Sequence, residues 1–438
     1  MDECSNKLLH YQKVKRLLIK LTMGKNKSVL IILSAFAISV YTQSFAQQLN
    51  YSVSESYNIH DSINKSRWDI GGRLSHYSFR FMSEFFPAAI IEKPVTAFRF
   101  TEKPVKAIEQ IVVKNGKDSF LLDSFLQRLH INSIIVVHKG NVVFERYYSM
   151  KPGEQHTLQS ITKVLTSTLI TQLVNEKKIN PELPVATYLP ELKHTGWQNI
   201  TVKNIMNMRS GMIGSEMSEN MGGLTNPQHP YYTYEEALGL LPKVDSIVPS
   251  VFDYVGSMKS KIPAGQEAEY NSMNTFILGW IAEKTTGKKY ADLISEKIWQ
   301  PMGASSNAYV CVSDKGVPWM HGGISATLRD LARFGMLYTH SDIRTRKESF
   351  ISFLQLNEIF NTPALDLGFE KFQWGYQWDV ARDGFLMKGG FGGQALVIHP
   401  EKEIVIAYFN HIDQDWGIMN MVSSRAINAI VNAIETSK

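Results

Sequence analysis

A predicted β-hairpin followed by an apolar helix, with Ser160 where the helix starts, is the pattern that most constrains the fold of this chain. Two runs of β-branched and aromatic residues, 134–137 and 142–144, are joined through Lys-Gly-Asn at 139–141, which is a hairpin signal. Apolar residues then recur at helical spacing over 161–173. The pattern predicts a strand pair and then an amphipathic helix, with Ser160 near its first turn.

Ser160 and Lys163 are three residues apart, so a helix places both on one face. A serine hydroxyl needs a base within hydrogen-bond reach, and a lysine can serve only where its surroundings keep the amine neutral. The first helical turn also offers free backbone N–H groups that can stabilise an oxyanion. Ser62 and Lys65 repeat the spacing without a strand pattern before them or an apolar helix pattern after them. Ser160 is therefore the candidate nucleophile, with an ordinary helix-capping serine as the alternative.

Size and charge exclude several classes of protein. The 438 residues are 44% hydrophobic, which indicates a globular chain of roughly two or three domains. The formal net charge of +5 is small for this length, no basic run is interleaved with aromatic residues, and no phosphate-binding Gly-Lys loop follows a strand. These features argue against nucleic acid and nucleotide partners.

Residues 1–46 are interpreted as a leader and signal peptide. Lys25 and Lys27 precede the apolar stretch 29–40, and Ser-Phe-Ala at 44–46 resembles a cleavage site. The apolar stretch is short for a membrane span, although the basic and apolar segment 13–21 keeps an uncleaved membrane anchor as the alternative. We therefore expect an exported protein, periplasmic or secreted, that meets a membrane only if this leader is retained.

Cysteine and histidine usage points away from disulfides and metals. Cys4 precedes the predicted cleavage site, so the mature chain would keep Cys311 alone, which is interpreted as a small buried hydrophobe. The twelve histidines show no paired metal-ligand spacing, and no cofactor is predicted.

Strand patterns at both ends of the main body, with helices between them, predict an α+β fold. We expect an antiparallel sheet flanked by helices, with an inserted, mostly helical domain. The predicted parts are an N-terminal extension at 47–125 packed on the body, a sheet domain from 126–175 and 315–438, and a helical domain at 176–314. Predicted elements further along the chain are a Thr201-capped helix ending at Gly211, helices over 274–284, 290–299, 326–337 and 419–434, and a hairpin of 395–398 with 404–409.

Three further segments carry residues suited to chemistry. Tyr270-Asn271-Ser272 lies just before a helix and presents a phenol, which can shuttle a proton if nearby ammonium groups lower its pKa. Lys388-Gly389-Gly390-Phe391 precedes the last hairpin, and its glycines permit close approach to a ligand. The segment 321–325 is interpreted as a structural cap for the helix that follows, and 214–261 as either a cleft border or a surface connection.

The order Ser160-x-x-Lys163, Tyr270-x-Ser272, Lys388-Gly-Gly resembles the three motifs of the serine β-lactamase and penicillin-binding superfamily. Similar surrounding passages point to its class C-like esterase and 6-aminohexanoate-dimer hydrolase branch, and the resemblance runs from about residue 131 to the C-terminus. These passages are 137–140, 144–148, 156–160, 279–280, 301–303 and 392–394.

The resemblance implies an acyl-enzyme mechanism in a β-lactamase-like fold. Ser160 would be the nucleophile, Lys163 the general base and Tyr270 the proton relay. The candidate substrate-binding residues are Lys388, Ser272 and Phe391, with the N–H of Phe391 joining that of Ser160 in the oxyanion hole and Lys388 attracting a substrate carboxylate.

Two positions depart from the β-lactamase pattern. Ser272 stands where Asn is usual, and Gly389 where Thr or Ser is commoner. Both changes remove polar groups that would hold a β-lactam. The expected function is therefore hydrolysis of a small ester or linear amide. The alternatives are a β-lactamase, a D-amino-acid peptidase, and a non-catalytic penicillin sensor.

Overall fold

The computed structural model describes residues 51–437, apart from 66–67, 217–222, 224–225, 244–247, 345–347, 363–372, 382 and 413–420. The predicted leader, 1–46, lies outside the described residues. The chain divides into two units between Tyr57 and Asn58, and the contacts discussed below all lie within the second unit, Asn58–Lys438. Among the helices that the structure describes, none has the length and apolar character needed to cross a membrane.

The α-helices are α1 (Val53–Lys65), α2 (Gly72–Ser78), α3 (Lys106–Glu109), α4 (Leu122–Arg128), α5 (Thr162–Asn175), α6 (Val185–Tyr188), α7 (Val202–Met206), α8 (Pro230–Ala237), α9 (Val251–Ser257), α10 (Ser272–Thr286), α11 (Tyr290–Ile294), α12 (Leu328–Met336), α13 (Phe353–Phe360) and α14 (Ser424–Thr436). Short 3₁₀ turns are Met82–Glu84, Gln159–Ile161, Pro190–Leu192 and His340–Arg344, and Ser295–Trp299 is a π turn.

The strands are β1 (Ala88–Ile91), β2 (Thr101–Glu102), β3 (Val112–Asn115), β4 (Asp118–Leu121), β5 (Ser133–His138), β6 (Asn141–Tyr147), β7 (Gln155–Thr157), β8 (Ala308–Cys311), β9 (Ile324–Thr327), β10 (Gln373–Gly375), β11 (Trp378–Val380), β12 (Leu386–Gly389), β13 (Ala395–His399) and β14 (Ile404–Phe409).

The largest sheet has eight strands in the order β10-β11-β12-β13-β14-β5-β6-β2, and only its β2–β6 pair is parallel. A second sheet has the order β1-β8-β9-β7, and β3 pairs with β4 in a separate hairpin. The central strands are apolar along nearly their whole length because helices cover both faces of the sheet. The predicted α+β class with an antiparallel sheet and flanking helices is confirmed.

Alternate side chains of the central strands enter two different layers. One face packs against α4 and α14 in a continuous apolar core that includes Val136, Ile406 and Ile430. On the other face α12 lies so close that a Cβ on Gly335 would be 2.5 Å from Cγ1 of Val405. This close contact requires a glycine in the helix.

Helix α5 runs through the interior rather than along the surface. Its residues from Thr162 to Thr171 are all buried, so the predicted amphipathic character is wrong. The threonine hydroxyls are accommodated because they find partners: Thr166 bonds the carbonyl of Met320 at 2.6 Å, and Thr168 bonds the phenol of Tyr338 at 2.7 Å. The Ser167 hydroxyl is buried and has no hydrogen-bond partner within the part of the chain that the structure describes.

Several local predictions are corrected by backbone geometry. The helix capped by Thr201 ends at Met206 rather than at Gly211, because Met208 already has a left-handed φ of 56°. The segment 321–325 does not cap a helix, since 324–327 pairs as β9 and Thr327 caps α12. Residues predicted as one helix over 290–299 form α11 and then the π turn.

The remaining helix and hairpin predictions hold, with shifted ends. The helix predicted over 274–284 is α10, closed by Gly287 with a φ of 68°, and the hairpins β5–β6 and β13–β14 form as expected. The C-terminal helix begins at Ser424, and residues 419–420 lie outside the described part. The segment 47–125 does more than pack on the body, because β1 and β2 extend both large sheets. The domain boundaries stay a prediction.

We expect Gly335→Ala to destabilise the protein by about 1–3 kcal/mol, because the new methyl group would overlap Val405 and push α12 from the sheet. Gly256→Ala in α9 is the matched control: its methyl group would meet only Leu192, at 3.6 Å, and alanine favours a helix by about 1 kcal/mol. Chemical unfolding of both variants measures the difference. Equal free energies of unfolding for the two variants would show that the packing of α12 against Val405 tolerates a methyl group at residue 335.

Candidate active site

Ser160 lies on a tight turn between the second sheet and α5. The N–H of Leu158 donates to the carbonyl of Ile324 at 2.8 Å, and that of Thr157 to the carbonyl of Phe79 at 2.7 Å. These bonds fix the segment that leads into the 3₁₀ turn Gln159–Ile161. Ser160 itself is partly exposed. The turn therefore presents the hydroxyl at an accessible point on a rigid support.

Lys163 is buried at 1% exposure directly behind this hydroxyl. Its Nζ donates to Oγ of Ser160 at 3.0 Å and to the carbonyl of His321 at 3.2 Å. Burial lowers the pKa of Lys163 to about 8, with Glu216 opposing the change and Lys388 adding to it. About a tenth of the amine is thus neutral at pH 7 and half of it at about pH 8, so the neutral form that a general base requires is accessible.

Glu216 and Ser272 form a second pair next to Lys163. The Oε1 atom of Glu216 lies 4.0 Å from Nζ of Lys163. Its carboxylate also accepts the Ser272 hydroxyl at 2.5 Å and the Ser272 N–H at 3.1 Å. Ser272 is fully buried, so its hydroxyl holds Glu216 instead of facing a substrate. These contacts favour a positioning role, and substrate binding by Ser272 stays a prediction.

Tyr270 completes the group that contains Ser160 and Lys163. Its ring centroid lies 5.0 Å from Nζ of Lys163 and 4.7 Å from Nζ of Lys388. Its phenol is close enough to the Ser160 side chain for that side chain to affect the phenol pKa. Burial and then Glu216 raise the pKa of Tyr270 well above its usual value, against the effect of the Ser160 hydrogen bond. The condition of a lowered phenol pKa is therefore not met, because desolvation and Glu216 outweigh the interaction with Ser160. Tyr270 is therefore a neutral phenol that can donate a proton.

The loop before α10 fixes the position of Tyr270. Asn271 caps this helix by accepting from the N–H of Met273 at 3.0 Å, and its own amide donates to the carbonyl of Ile213 at 3.1 Å. On the other side, the N–H of Glu269 donates to the carbonyl of Met208 at 2.8 Å. The phenol thus depends on backbone contacts that flank it on both sides.

Lys388 reaches the same site from β12. Its side chain is 1% exposed, and Nζ donates to Oδ1 of Asp379 at 3.0 Å. The same oxygen accepts the indole N–H of Trp374 at 2.8 Å, and the Trp374 ring lies 5.9 Å from that of Tyr270. Lys388 is therefore an internally paired cation beside the candidate proton relay.

The glycine segment after Lys388 packs directly against the Ser160 turn. A Cβ on Gly390 would lie 2.6 Å from the carbonyl oxygen of Leu158 and 3.0 Å from Cβ of Gln159. Phe391 follows at once and is partly exposed. Among the described residues, the Phe391 N–H has no hydrogen-bond acceptor, which leaves it available for an oxyanion.

The structure brings four of the six predicted site residues, Ser160, Lys163, Tyr270 and Lys388, next to one another. Phe391 follows the glycine that packs against the Ser160 turn, and the Ser272 hydroxyl points inward to Glu216. The competing Ser62 lies within α1, where its hydroxyl donates to the carbonyl of Asn58 at 2.8 Å. Residues near the site that the sequence did not single out are Glu216, Glu235 and Asp379.

The segment that begins with His321 was predicted to have a structural role. The His321 carbonyl nevertheless contacts the site directly, because it accepts a hydrogen bond from Nζ of Lys163. The Nε2 atom of His321 lies 2.8 Å from Oε1 of Glu235, and the Nδ1 atom lies 2.9 Å from the phenol oxygen of Tyr234. Burial alone would raise the pKa of Glu235, but His321 lowers it. The segment 214–261, predicted as a possible cleft border, thus supplies two carboxylates, Glu216 and Glu235. The length and polar composition of this segment, rather than any periodicity, were the features of the sequence that indicated a possible cleft border.

Within the ranges that the structure describes, no three His, Cys, Asp or Glu side chains converge on a point that could hold a metal ion. Cys311 is buried in β8, and burial raises the pKa of its thiol. It belongs to the core, as the sequence predicted.

Comparison with known protein families tests the family resemblance that the motifs suggested. The profile of the Beta-lactamase family matches residues 127–415. This chain belongs to the Beta-lactamase family. The match contains all six predicted site residues and confirms both the resemblance and the expected fold.

Two curated relatives of this Beta-lactamase-family chain are hydrolases. A 6-aminohexanoate-dimer hydrolase of Paenarthrobacter ureafaciens is 26% identical over 269 residues, which are 60% of this chain and 64% of the relative. The match thus spans less than two thirds of that relative's length. The D-alanyl-D-alanine-carboxypeptidase/endopeptidase AmpH of Escherichia coli K12 is 21% identical over 314 residues, 62% of this chain and 77% of the relative.

Among solved structures, a 6-aminohexanoate-dimer hydrolase homologue from Bacillus anthracis superimposes with a TM-score of 0.68 at 25% identity. The alignment covers 85% of this chain and 97% of the homologue. The fold is therefore shared along nearly all of that homologue.

We expect Gly390→Ala to lower the rate of Ser160 acylation by at least about 100-fold, the cost of losing one oxyanion donor. The methyl group would push the glycine segment from the Ser160 turn. Gly389→Ala is the control, because its Cβ would meet Met421 at an ordinary 3.4 Å. Rates of labelling by a fluorophosphonate compare the two, and equal loss in both would contradict the expectation.

The pKa of Lys163 predicts the pH dependence of acylation. Only the neutral amine can take the Ser160 proton, so the labelling rate should rise with pH and reach half its maximum near pH 8. Glu216 raises the pKa of Lys163, so Glu216→Gln should move the profile to lower pH while keeping an acceptor for Ser272. Lys388 lowers that pKa, so Lys388→Met should move the profile to higher pH. Shifts in the same direction would refute this account of the base.

Proposed function

We propose that this chain is an exported serine hydrolase that cleaves an ester or a linear amide through an acyl-enzyme on Ser160. The observation that carries the proposal is the buried Lys163 amine, whose pKa is lowered to about 8 and which donates to Oγ of Ser160 at 3.0 Å. The phenol of Tyr270 contacts the same hydroxyl. A nucleophile, a neutralisable base and a proton donor therefore share one point.

Acylation follows from these positions. Neutral Lys163 takes the Oγ proton as Oγ attacks the substrate carbonyl carbon, and the N–H groups of Ser160 and Phe391 stabilise the oxyanion. When the intermediate collapses, Tyr270 donates its proton to the leaving alcohol or amine and regains one from the Lys163 ammonium. The products of this step are the Ser160 acyl ester and the protonated leaving group.

Deacylation uses the same groups in reverse. Tyr270 accepts a proton from water and passes its own phenol proton to the neutral Lys163 amine as the water oxygen attacks the acyl carbon. Collapse of the second intermediate returns the proton to Oγ of Ser160 and releases the acid. No group outside the described contacts is needed for either step.

Two features support an ester or linear amide over a β-lactam. Ser272 gives its hydroxyl to Glu216, and Gly389 has no side chain to bind a β-lactam carboxylate. A curated relative is named for a linear amide, the 6-aminohexanoate dimer.

The position of Lys388 beside Tyr270 favours the second candidate, a β-lactamase or D-amino-acid peptidase. Export rests on the composition of residues 1–46.

Labelling with a fluorophosphonate followed by peptide mass mapping tests the nucleophile. We expect one adduct, on Ser160, and none in Ser160→Ala. Lys163→Ala should slow labelling by about 100-fold or more because the general base is lost, whereas Ser62→Ala should react like the wild type. An adduct elsewhere, or none, rejects the proposed function.

Turnover of a p-nitrophenyl acyl ester and of a chromogenic cephalosporin separates the enzyme classes. We expect steady hydrolysis of the ester and a much lower kcat/KM for the cephalosporin. Faster cephalosporin hydrolysis would favour the second candidate. A single burst without steady turnover on both would favour a penicillin sensor.

A further inference from the structure

We propose that Asp379 neutralises Lys388, so that the leaving-group side of this site selects uncharged substrates over those with a carboxylate next to the scissile bond. The inference rests on the proposed function and names its substrate class. It assigns Asp379, outside the predicted motifs, as the residue that sets charge specificity.

Hydrogen bonds hold the Asp379 carboxylate next to the Lys388 ammonium group, so the negative charge of Asp379 acts on that group. It lies opposite Trp374 in the β10–β11 register, and its Oδ1 atom accepts both the indole N–H at 2.8 Å and Nζ of Lys388 at 3.0 Å. Two donors on one oxygen fix the carboxylate in place. The lysine side chain is 1% exposed and that of Asp379 is 26% exposed, so an approaching ligand meets the carboxylate before the ammonium.

The pair lies on the side where the leaving group departs. The Tyr270 ring contacts both lysines, with its centroid 5.0 Å from Nζ of Lys163 and 4.7 Å from Nζ of Lys388. In the proposed mechanism Tyr270 protonates the leaving group, and Lys163 takes the Ser160 proton. A charge carried by the leaving group therefore approaches Lys388 and Asp379.

The charge balance of the reactive form disfavours an anion. When Lys163 is neutral, the remaining groups around Tyr270 are one ammonium, Lys388, and two carboxylates, Asp379 and Glu216. A substrate carboxylate would have to displace Asp379 from a buried partner or bind beside it against like-charge repulsion. Gly389 supplies no hydroxyl to compensate. Uncharged leaving groups meet neither obstacle.

A matched pair of butyrate esters tests this selectivity. One ester releases 3-hydroxybenzamide and the other 3-hydroxybenzoate, so they differ near the scissile bond only by a carboxamide against a carboxylate. We expect the wild type to favour the carboxamide ester by about tenfold or more in kcat/KM, the scale of one partly exposed charge interaction. The ratio is taken on one preparation, so the fraction of folded enzyme cancels.

Variants assign the effect to Asp379. Asp379→Asn keeps the shape and removes the charge, and we expect it to bring the ratio close to one or to invert it. Asp379→Glu keeps the charge and should keep the preference. Asp118→Asn, at an exposed hairpin position, is the control for the loss of an acidic residue and should leave the ratio unchanged.

The outcomes separate this inference from the function on which it rests. Hydrolysis of both esters with equal kcat/KM, or a preference for the carboxylate ester, overturns the inference while the Ser160 mechanism stands. The same holds if Asp379→Asn leaves the wild-type ratio intact. If neither ester is hydrolysed and Ser160 forms no fluorophosphonate adduct, the proposed function itself fails.

Discussion

The site depends on the burial of the Lys163 amine behind Ser160, which costs desolvation free energy. An ammonium group taken out of water is unstable, and the structure offsets this with a serine hydroxyl, one backbone carbonyl and a carboxylate 4.0 Å away. The compensation is incomplete, so the amine gives up its proton more readily than an exposed lysine. A fully paired Lys163 would be a stable cation and a useless base. Partial compensation is thus what makes the group reactive.

The fold provides this environment from distant parts of the chain. The turn after β7 presents Ser160, and buried helix α5 carries Lys163 inward. The segment before α10 brings Tyr270 and Ser272, and strand β12 brings Lys388. Because both faces of the large sheet are covered by helices, these elements are held by packing. Within this frame, the local polar contacts orient the reactive side chains and set their protonation.

The predictable parts were those governed by local rules. Strong periodicity located the hairpins β5–β6 and β13–β14, the helix α10 and the turn that carries Ser160. The motif order, through its family resemblance, pointed to Tyr270 and Lys388. Contacts across the sequence could not be predicted, because Glu216 and Asp379 are exposed-type residues in segments without periodicity. The direction of the Tyr270 pKa shift could not be predicted for a related reason: the motifs indicate nearby ammonium groups, but desolvation depends on how the whole chain packs.

The N-terminal strands have a practical consequence for anyone trimming this protein. The family match begins at residue 127, yet β1 pairs with β8 and β2 pairs with β6, and the Phe79 carbonyl anchors the residues before Ser160. A fragment cut where the family match begins would leave two unpaired sheet edges open to pairing between molecules. Expression of such a fragment would invite aggregation for reasons unrelated to catalysis.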